Sequence, residues 1–145
     1  MFLTSVTDRG ATPALISTLV FNQTRLKVIA ENVANATTPG YRARQVDTRA
    51  FQRSLREALD RRGSDPNKPF EVKGNRQIRT GSDGALEVTP TERPVDNVLF
   101  HDGTNVSMER EMADLAETGM VHELTSTLLR GQFDRLRKAI RGTVG

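Results

Sequence analysis

Apolar side chains recur at helical spacing near both ends of the chain. In the first segment, steps of four and three residues alternate through Leu15, Leu19, Asn22, Leu26, Ile29, Val33 and Ala36. This is the spacing of a heptad seam, and its one polar member, Asn22, can set the register of a paired helix at some cost in stability. Thr12 as N-cap and Pro13 as first helical residue suit the start of this helix. The Thr-Pro-Gly sequence at 38–40 is predicted to end it.

A second helical pattern occupies the C-terminal part of the chain and begins near Ser107. The same alternation connects Met108, Met112, Leu115, Gly119, His122, Ser126, Leu129, Phe133, Leu136 and Ile140. Acidic residues lie in its first turns and basic residues in its last turns, as the helix dipole favours, and Gly142 suits the C-terminal cap. A second apolar stripe predicts that this helix contacts neighbours on two sides. Its members are Met120, Val121, Leu124 and Leu128.

The residues between the two helices carry weaker and more varied signals. Residues 49–62 can form a short helix, since apolar positions recur there every four residues. Residues 63–69 are rich in turn formers. Residues 70–79 and 85–89 are predicted as the strands of a hairpin around the Gly-Ser-Asp-Gly sequence at 81–84.

These patterns predict a mainly α fold in which long N- and C-terminal helices pair as a coiled coil, with a small irregular or β-hairpin middle segment. We divide the chain into an N-terminal helix and motif at 1–41, a basic, irregular middle region at 42–106 and a C-terminal helix at 107–145. Residues 1–12 contain Asp8 and no apolar core segment, so we expect no cleaved signal peptide.

The composition argues against enzymes and cofactor-binding proteins. Among 145 residues there is no Cys, no Trp, one Tyr and two His, so disulfides and thiolate metal sites are excluded. No GxSxG or P-loop pattern occurs. We therefore expect no catalysis, no cofactor and no small-molecule substrate. Only 5% of residues are aromatic, and we expect much of the apolar surface to meet a partner.

Charge is arranged in alternating blocks, although the formal net charge is only +3. Residues 42–62 hold seven Arg against three acids, 108–123 hold five acids against one Arg, and 130–141 hold five bases against one Asp. Such blocks suit end-to-end or staggered packing of like subunits, and a solvated surface carries them equally well. With Tyr41 and Phe51 nearby, the first block leaves a basic nucleic-acid-binding helical protein as the alternative function.

The most specific pattern lies at 32–41. It consists of Asn32, Val33, Ala34, Asn35, Thr38, Pro39, Gly40 and Tyr41. Small Ala residues let another backbone approach, Asn side chains can bond main-chain groups near a helix end, and Tyr offers a ring with one polar group to an interface. The segment resembles the N-terminal signature of flagellar rod, hook and hook-associated proteins, N-[IV]-A-N-x-x-T-P-G-[YF], at every fixed position.

The start of the second long helix narrows the resemblance. Residues 105–116 and the apolar positions near the end of this helix resemble the last helix of the proximal-rod branch B of the flagellar basal-body rod protein family. The sister proximal-rod branch C is the closest alternative. His122 departs from the pattern, since an aromatic residue such as Tyr is expected there.

This resemblance implies a structural subunit of the bacterial flagellar basal-body (proximal) rod, which assembles helically through coiled coils of its terminal helices. The implied partners are copies of itself, other rod subunits, the membrane-ring/rod junction proteins and the flagellar type III export apparatus, with no nucleic acid. The implied location is the periplasm-spanning rod of the basal body, reached without a cleaved signal peptide.

For assembly we expect contacts through the motif and through apolar positions of the last helix. Of these, Leu115 and Leu129 are expected to face the pairing helix, and Leu124 and Leu128 a different element. The remaining candidates are Met112, Phe133 and Leu136.

Overall fold

Three helices and four short strands make up the described part of the chain. The computed structural model describes residues 10–63, 65, 68–82, 84–94 and 106–142. The elements are α1 (Thr12–Ala34), β1 (Arg44–Gln45), α2 (Thr48–Arg62), β2 (Ile78–Thr80), β3 (Leu86–Val88), β4 (Thr91–Glu92) and α3 (Met108–Ile140). The predicted mainly α fold, with long terminal helices and a small β-containing middle segment, is confirmed.

The two terminal helices pack side by side and run antiparallel. Arg25 of α1 contacts Asp114 and Glu117 of α3, at 2.9 and 3.0 Å, and Asn32 contacts Glu111 at 3.1 Å. Residue numbers thus fall along α1 as they rise along α3, which is consistent with the predicted hairpin-like coiled coil. Because both helices advance about 1.5 Å per residue, the start of α1 lies opposite about residue 131 of α3. The last turns of α3 therefore extend beyond the described part of α1.

The first helix begins at Thr12 as predicted, but its predicted N-cap and its predicted C-terminal limit are wrong. Ala11 occupies the N-cap position, without a side-chain capping bond, and Thr12 is already helical. At the other end α1 stops at Ala34, four residues before the predicted Thr38. Beyond it the backbone bonds tighten to the i→i−3 pattern, from Asn35 N to Asn32 O and onward to Thr38 N. Such tight turns are common where an α-helix ends.

The heptad seam predicted for α3 is also wrong in part. Glu111, Thr118 and Thr125 are the buried residues of α3, one position before predicted seam members, whereas Met112 and Leu115 stay exposed. Thr118 and Thr125 can lie buried because each hydroxyl donates at 2.6 Å to the carbonyl oxygen four residues earlier. The seam predicted for α1 does face the protein interior, since all seven members are buried or half-buried.

The hydrophobic core lies between α1 and the middle region, not between the two long helices. The rings of Phe21 and Phe51 stack with centroids 4.1 Å apart. Asp47 caps α2 by accepting a hydrogen bond from Ala50 N at 2.9 Å, and this helix confirms the one predicted at 49–62. The buried core cluster consists of Phe21, Val46, Phe51, Ala58, Val72 and Ile78.

Two small antiparallel sheets complete the middle region. The predicted hairpin is present as β2 and β3, with Ile78 opposite Val88. Its first strand covers only the end of the predicted 70–79. The pairing of β1 with β4, in which Arg44 lies opposite Glu92, was not predicted. In the described part of the chain no helix is long and apolar enough to span a membrane.

Candidate functional site

The motif segment at 32–41 ends α1 and leads the chain toward β1. Asn35 Nδ2 donates to Glu31 O at 2.8 Å within the last helical turn. Tyr41 N donates to Thr38 O at 3.1 Å, which closes the turn around Pro39. Gly40 has a φ of +74°, a conformation that other residues adopt only with strain. The predicted exit turn is therefore present and lies on the surface.

Asn32 has all four of its hydrogen-bonding positions occupied. Its Nδ2 donates to Arg44 O at 2.9 Å and to Glu111 Oε2 at 3.1 Å. Its Oδ1 accepts from Arg44 N at 2.9 Å and from the Tyr41 hydroxyl at 3.1 Å. The side chain is fully buried. An amide with two donors and two acceptor lone pairs is thus fully satisfied, and Asn32 does more than cap a helix.

Glu111 is a buried carboxylate in the first turns of α3. Its side chain is fully buried, and its Oε1 accepts from Arg93 Nη1 at 2.8 Å in an ion pair whose Arg side chain is 10% exposed. Removing one partner from a buried ion pair is strongly destabilising because the other charge is left uncompensated. Arg93 is itself anchored by its backbone, since its N donates to Ala43 O at 2.7 Å.

Together these residues form one connected polar cluster, which we call the Asn32 clasp. It consists of Asn32, Tyr41, Arg44, Arg93 and Glu111. The clasp joins four segments that are distant in sequence, namely the end of α1, the motif turn with β1, the residue after β4 and the start of α3. Fully satisfied buried networks make a structure rigid and specify one arrangement.

The pKa of the Tyr41 hydroxyl reflects its position in this cluster. Partial burial raises the pKa of Tyr41 above its usual 10.0, and the negative charge of Glu31 raises the pKa further. Both effects favour the neutral phenol, which is the form that can donate to Asn32.

The two remaining motif residues lie in the last turn of α1. Val33 is half-buried and Ala34 is exposed. Ala34 leaves a small exposed surface beside the clasp, where another backbone can approach closely.

Five of the seven apolar candidates on α3 lie in two exposed stripes. The flank stripe borders the face that packs on α1 and consists of Met108, Met112, Leu115, Phe133 and Ile140. The outer stripe consists of Met120, Val121, Leu124 and Leu128. It lies roughly 100° around the helix from the buried residues Glu111, Thr118 and Thr125. Leu124 and Leu128 are 60% and 51% exposed. Leu129 and Leu136 are half-buried, so the structure brings Leu129, but not Leu115, toward the face expected to pack on α1.

Three of the seven arginines at 42–62 make contacts within the chain or are buried. Arg44 lies 3.6 Å from Glu31, and Arg61 donates to the carbonyl oxygen of Glu71 at 2.8 Å. Arg62 is buried. These contacts reduce the number of cations that the nucleic-acid alternative could use, although Arg49, Arg53 and Arg56 remain exposed on α2. The residues that the structure describes contain no His, Cys, Asp and Glu group able to hold a metal ion.

Sequence reasoning missed Glu111 and Arg93 as members of the site. Glu111 had a signal, because it lies one position from the predicted seam and in the first turns of a capped helix. No feature of the sequence pointed to Arg93. Its partner Glu111 is 18 residues away, and the β1–β4 pair that positions Arg93 shows no periodic pattern in the sequence.

Comparisons with known proteins agree with the motif. A family model described as flagella basal body rod protein matches residues 14–42. Flagellar basal body rod protein FlgB of Borrelia hermsii is 30% identical over 122 residues, covering 81% of this chain and 85% of that protein. The protein of the same name from Cereibacter sphaeroides is 30% identical over 124 residues, covering 86% and 88%. That from Salmonella typhimurium is 26% identical over 125 residues, covering 81% and 83%.

Proposed function

The chain belongs to the flagellar basal body rod protein FlgB family, and we propose that it assembles helically into the proximal part of the rod through the surfaces of its two terminal helices. As a member of this family it is a structural subunit of the flagellar rod, and the role that we propose involves no catalysis.

The observation that carries the assembly surface is the exposure of apolar side chains along α3. Four residues of the outer stripe and five of the flank stripe are exposed, while the core lies elsewhere. Contiguous exposed apolar surface marks an interaction site in soluble proteins. A helix with a stripe on each of two sides can contact two neighbours, as the sides of a subunit in a helical assembly require.

The Asn32 clasp supplies the second part of the proposal. It holds the end of α1, the motif turn and the start of α3 in one arrangement, so that the helix surfaces are presented at a defined angle. We assign the motif residues this supporting role, with Ala34 and the turn at 38–40 exposed beside the clasp for contact with a neighbour.

The proposed partners follow from the family. They are copies of this chain, other rod subunits and the proteins at the junction of the rod with the membrane ring. The chain would reach the periplasm-spanning rod through the flagellar type III export apparatus without a cleaved signal peptide.

The test places one charge on the outer stripe. Leu128→Asp removes an apolar contact worth about 1.5–3 kcal/mol and buries a charge in any interface there. We expect this variant to be expressed and exported but to build no rods, as scored by electron microscopy of basal bodies and by swimming in a deletion strain. Thr127→Asp is the matched control, since it adds the same charge at an exposed position one residue earlier that is not a member of the stripe, and it should swim. Normal rods with Leu128→Asp would contradict the proposed surface.

A further inference from the structure

An open, largely apolar groove lies between the start of α1 and the β2–β3 hairpin. Its α1 side consists of Pro13, Ile16, Ser17 and Val20, which are spaced as neighbours on one helix face. Its other side consists of residues 69–72, 80–82 and 84–86. The groove has a volume of about 630 Å³, and Glu71 is the one charged residue among the described residues that line it. Ile16 is 39% exposed, so the groove leaves apolar surface open to a partner.

The groove faces away from α3. Ile16 precedes Arg25 by nine residues, and nine steps of about 100° place these two residues on opposite sides of α1. Because Arg25 binds Asp114 of α3 at 2.9 Å, the groove side of α1 points in the other direction. On α3, Leu124 and Leu128 of the outer stripe are 60% and 51% exposed. The groove and the outer stripe therefore lie on different sides of the molecule, and neither covers the other within one chain.

The groove and the outer stripe also lie at the same position along the axis of the helix pair. The antiparallel contacts place the start of α1 opposite about residue 131 of α3, so residues 13–20 lie opposite about 123–130. The outer stripe occupies 120–128, which overlaps this range, and Ile16 is level with about residue 127. A second copy placed side by side, without inversion and with little axial shift, therefore brings its outer stripe to the groove.

We propose that the outer stripe of α3 docks in the groove of a second copy of this chain. Each copy then offers its outer stripe to one neighbour and its groove to another, and α3 of one copy packs antiparallel to α1 of the next, as it does within the chain. A contact between two different surfaces of identical subunits can repeat without closing, which a helical assembly requires. This proposal rests on the proposed function and assigns an occupant to one of its surfaces.

The contact is apolar and small. The outer stripe has no charged member, and Glu71 beside the groove is exposed, so docking leaves no buried charge without a partner. Stable dimers bury about 800 Å² on each partner, and the four side chains of the outer stripe cannot supply that area alone. We therefore expect the isolated chain to stay monomeric in dilute solution and the contact to form in the rod, where copies are already aligned.

The chain has no cysteine, so introduced cysteines report this contact without background from its own residues. We expect the double variant Ile16→Cys/Leu128→Cys to form a ladder of disulfide-linked multimers in isolated basal bodies under mild oxidation. Within one chain these positions lie on different sides of two helices whose axes are about 8–10 Å apart, beyond the roughly 7 Å between Cα atoms that a disulfide spans. A mixture of chains that each carry one of the two cysteines should form dimers and nothing larger.

The matched control is Ile16→Cys/Arg130→Cys, which should remain unlinked. Arg130 is exposed near the same axial position but lies about 160° around α3 from Leu128. Linkage of Leu128→Cys or Leu124→Cys alone would overturn the proposal in favour of a two-fold contact between outer stripes. Intact rods in which the 16/128 double variant stays unlinked would also overturn it, with another rod subunit then occupying the groove.

If the 16/128 cysteine variant builds no rods, a charge pair decides. Ile16→Glu and Leu128→Lys should each abolish swimming in a deletion strain, and the two together should restore it. Gln23→Glu adds the same charge at an exposed α1 position outside the groove, so it should swim alone and should not rescue Leu128→Lys. Failure of Ile16→Glu to restore swimming would overturn the docking. Absence of rods with the unaltered chain would instead overturn the proposed function itself.

Discussion

At the scale of single residues, the side chain that matters most for this site is an amide, not a charge. Asn32 satisfies both backbone groups of Arg44, the Tyr41 hydroxyl and the Glu111 carboxylate at once. Asn35, three residues later in the same motif, donates one bond to the helix that carries it. The two asparagines therefore look alike in the sequence and differ in what they support.

This difference gives a matched pair of variants. Asn32→Ala leaves buried groups of Arg44, Glu111 and Tyr41 unpaired and should lower the free energy of unfolding by about 3 kcal/mol or more. Asn35→Ala removes the bond to Glu31 O and a long, exposed bond from the Thr38 hydroxyl, and it should cost about 1 kcal/mol. Urea denaturation of the purified chains, followed by circular dichroism, measures both. Equal losses would show that the clasp contributes nothing beyond a helix cap.

Tyr41 allows the clasp to be followed by pH. It is the single Tyr, and there is no Trp, so near-ultraviolet absorbance reports its phenolate alone. The folded pKa is raised above the unfolded 10.0, so its contribution to stability is fully present below pH 10 and is lost as pH rises through the folded pKa. We expect the absorbance midpoint of the folded chain to lie above that of the urea-unfolded chain. A folded midpoint at or below the unfolded one would refute the burial of this hydroxyl.

At the scale of elements, the motif turn favours glycine at position 40, whereas the interior of α3 disfavours glycine at position 119. Gly40 has a positive φ, and a Cβ added there would meet no other atom within 4 Å but would strain the backbone. Gly119 lies within α3, also with open space, at ordinary helical φ.

Alanine at the two positions should therefore act in opposite directions. We expect Gly40→Ala to destabilise the chain by about 1 kcal/mol and Gly119→Ala to stabilise it by up to about 1 kcal/mol, because alanine favours a helix interior. Thermal unfolding of the isolated chains decides the signs. Stabilisation by both substitutions would mean that the exit turn does not need a left-handed residue.

At the scale of the whole molecule, the chain has a dense core at one place and unsupported helix at another. The core cluster around Phe21 and Phe51 ties α1 to the middle region. The last turns of α3 have no described neighbour of this kind, and Ile140 is 81% exposed.

Amide exchange should reveal this division in the dilute, isolated chain. Amides of α1 around Phe21 should exchange slowly, because their opening requires disruption of the core, and amides at 132–140 should exchange much faster. In assembled rods the same amides at 132–140 should become protected. Uniformly slow exchange along α3 in the isolated chain would show that its last turns need no neighbour.

The sequence by itself determined the helices, the hairpin and the family, because these depend on local spacing and on a motif read in order. Heptad steps predicted both long helices, Ser107 marked the start of α3, and the segment at 32–41 identified the rod family. Only the tertiary structure decided which side of α3 packs on α1. Periodicity predicts that apolar positions are buried. In α3 the buried positions are polar, because Glu111 is paired in the clasp and Thr118 and Thr125 donate hydrogen bonds to carbonyl oxygens of their own helix. The same structure decided the clasp, since the contact of Arg93 with Glu111 depends on how distant segments fold together.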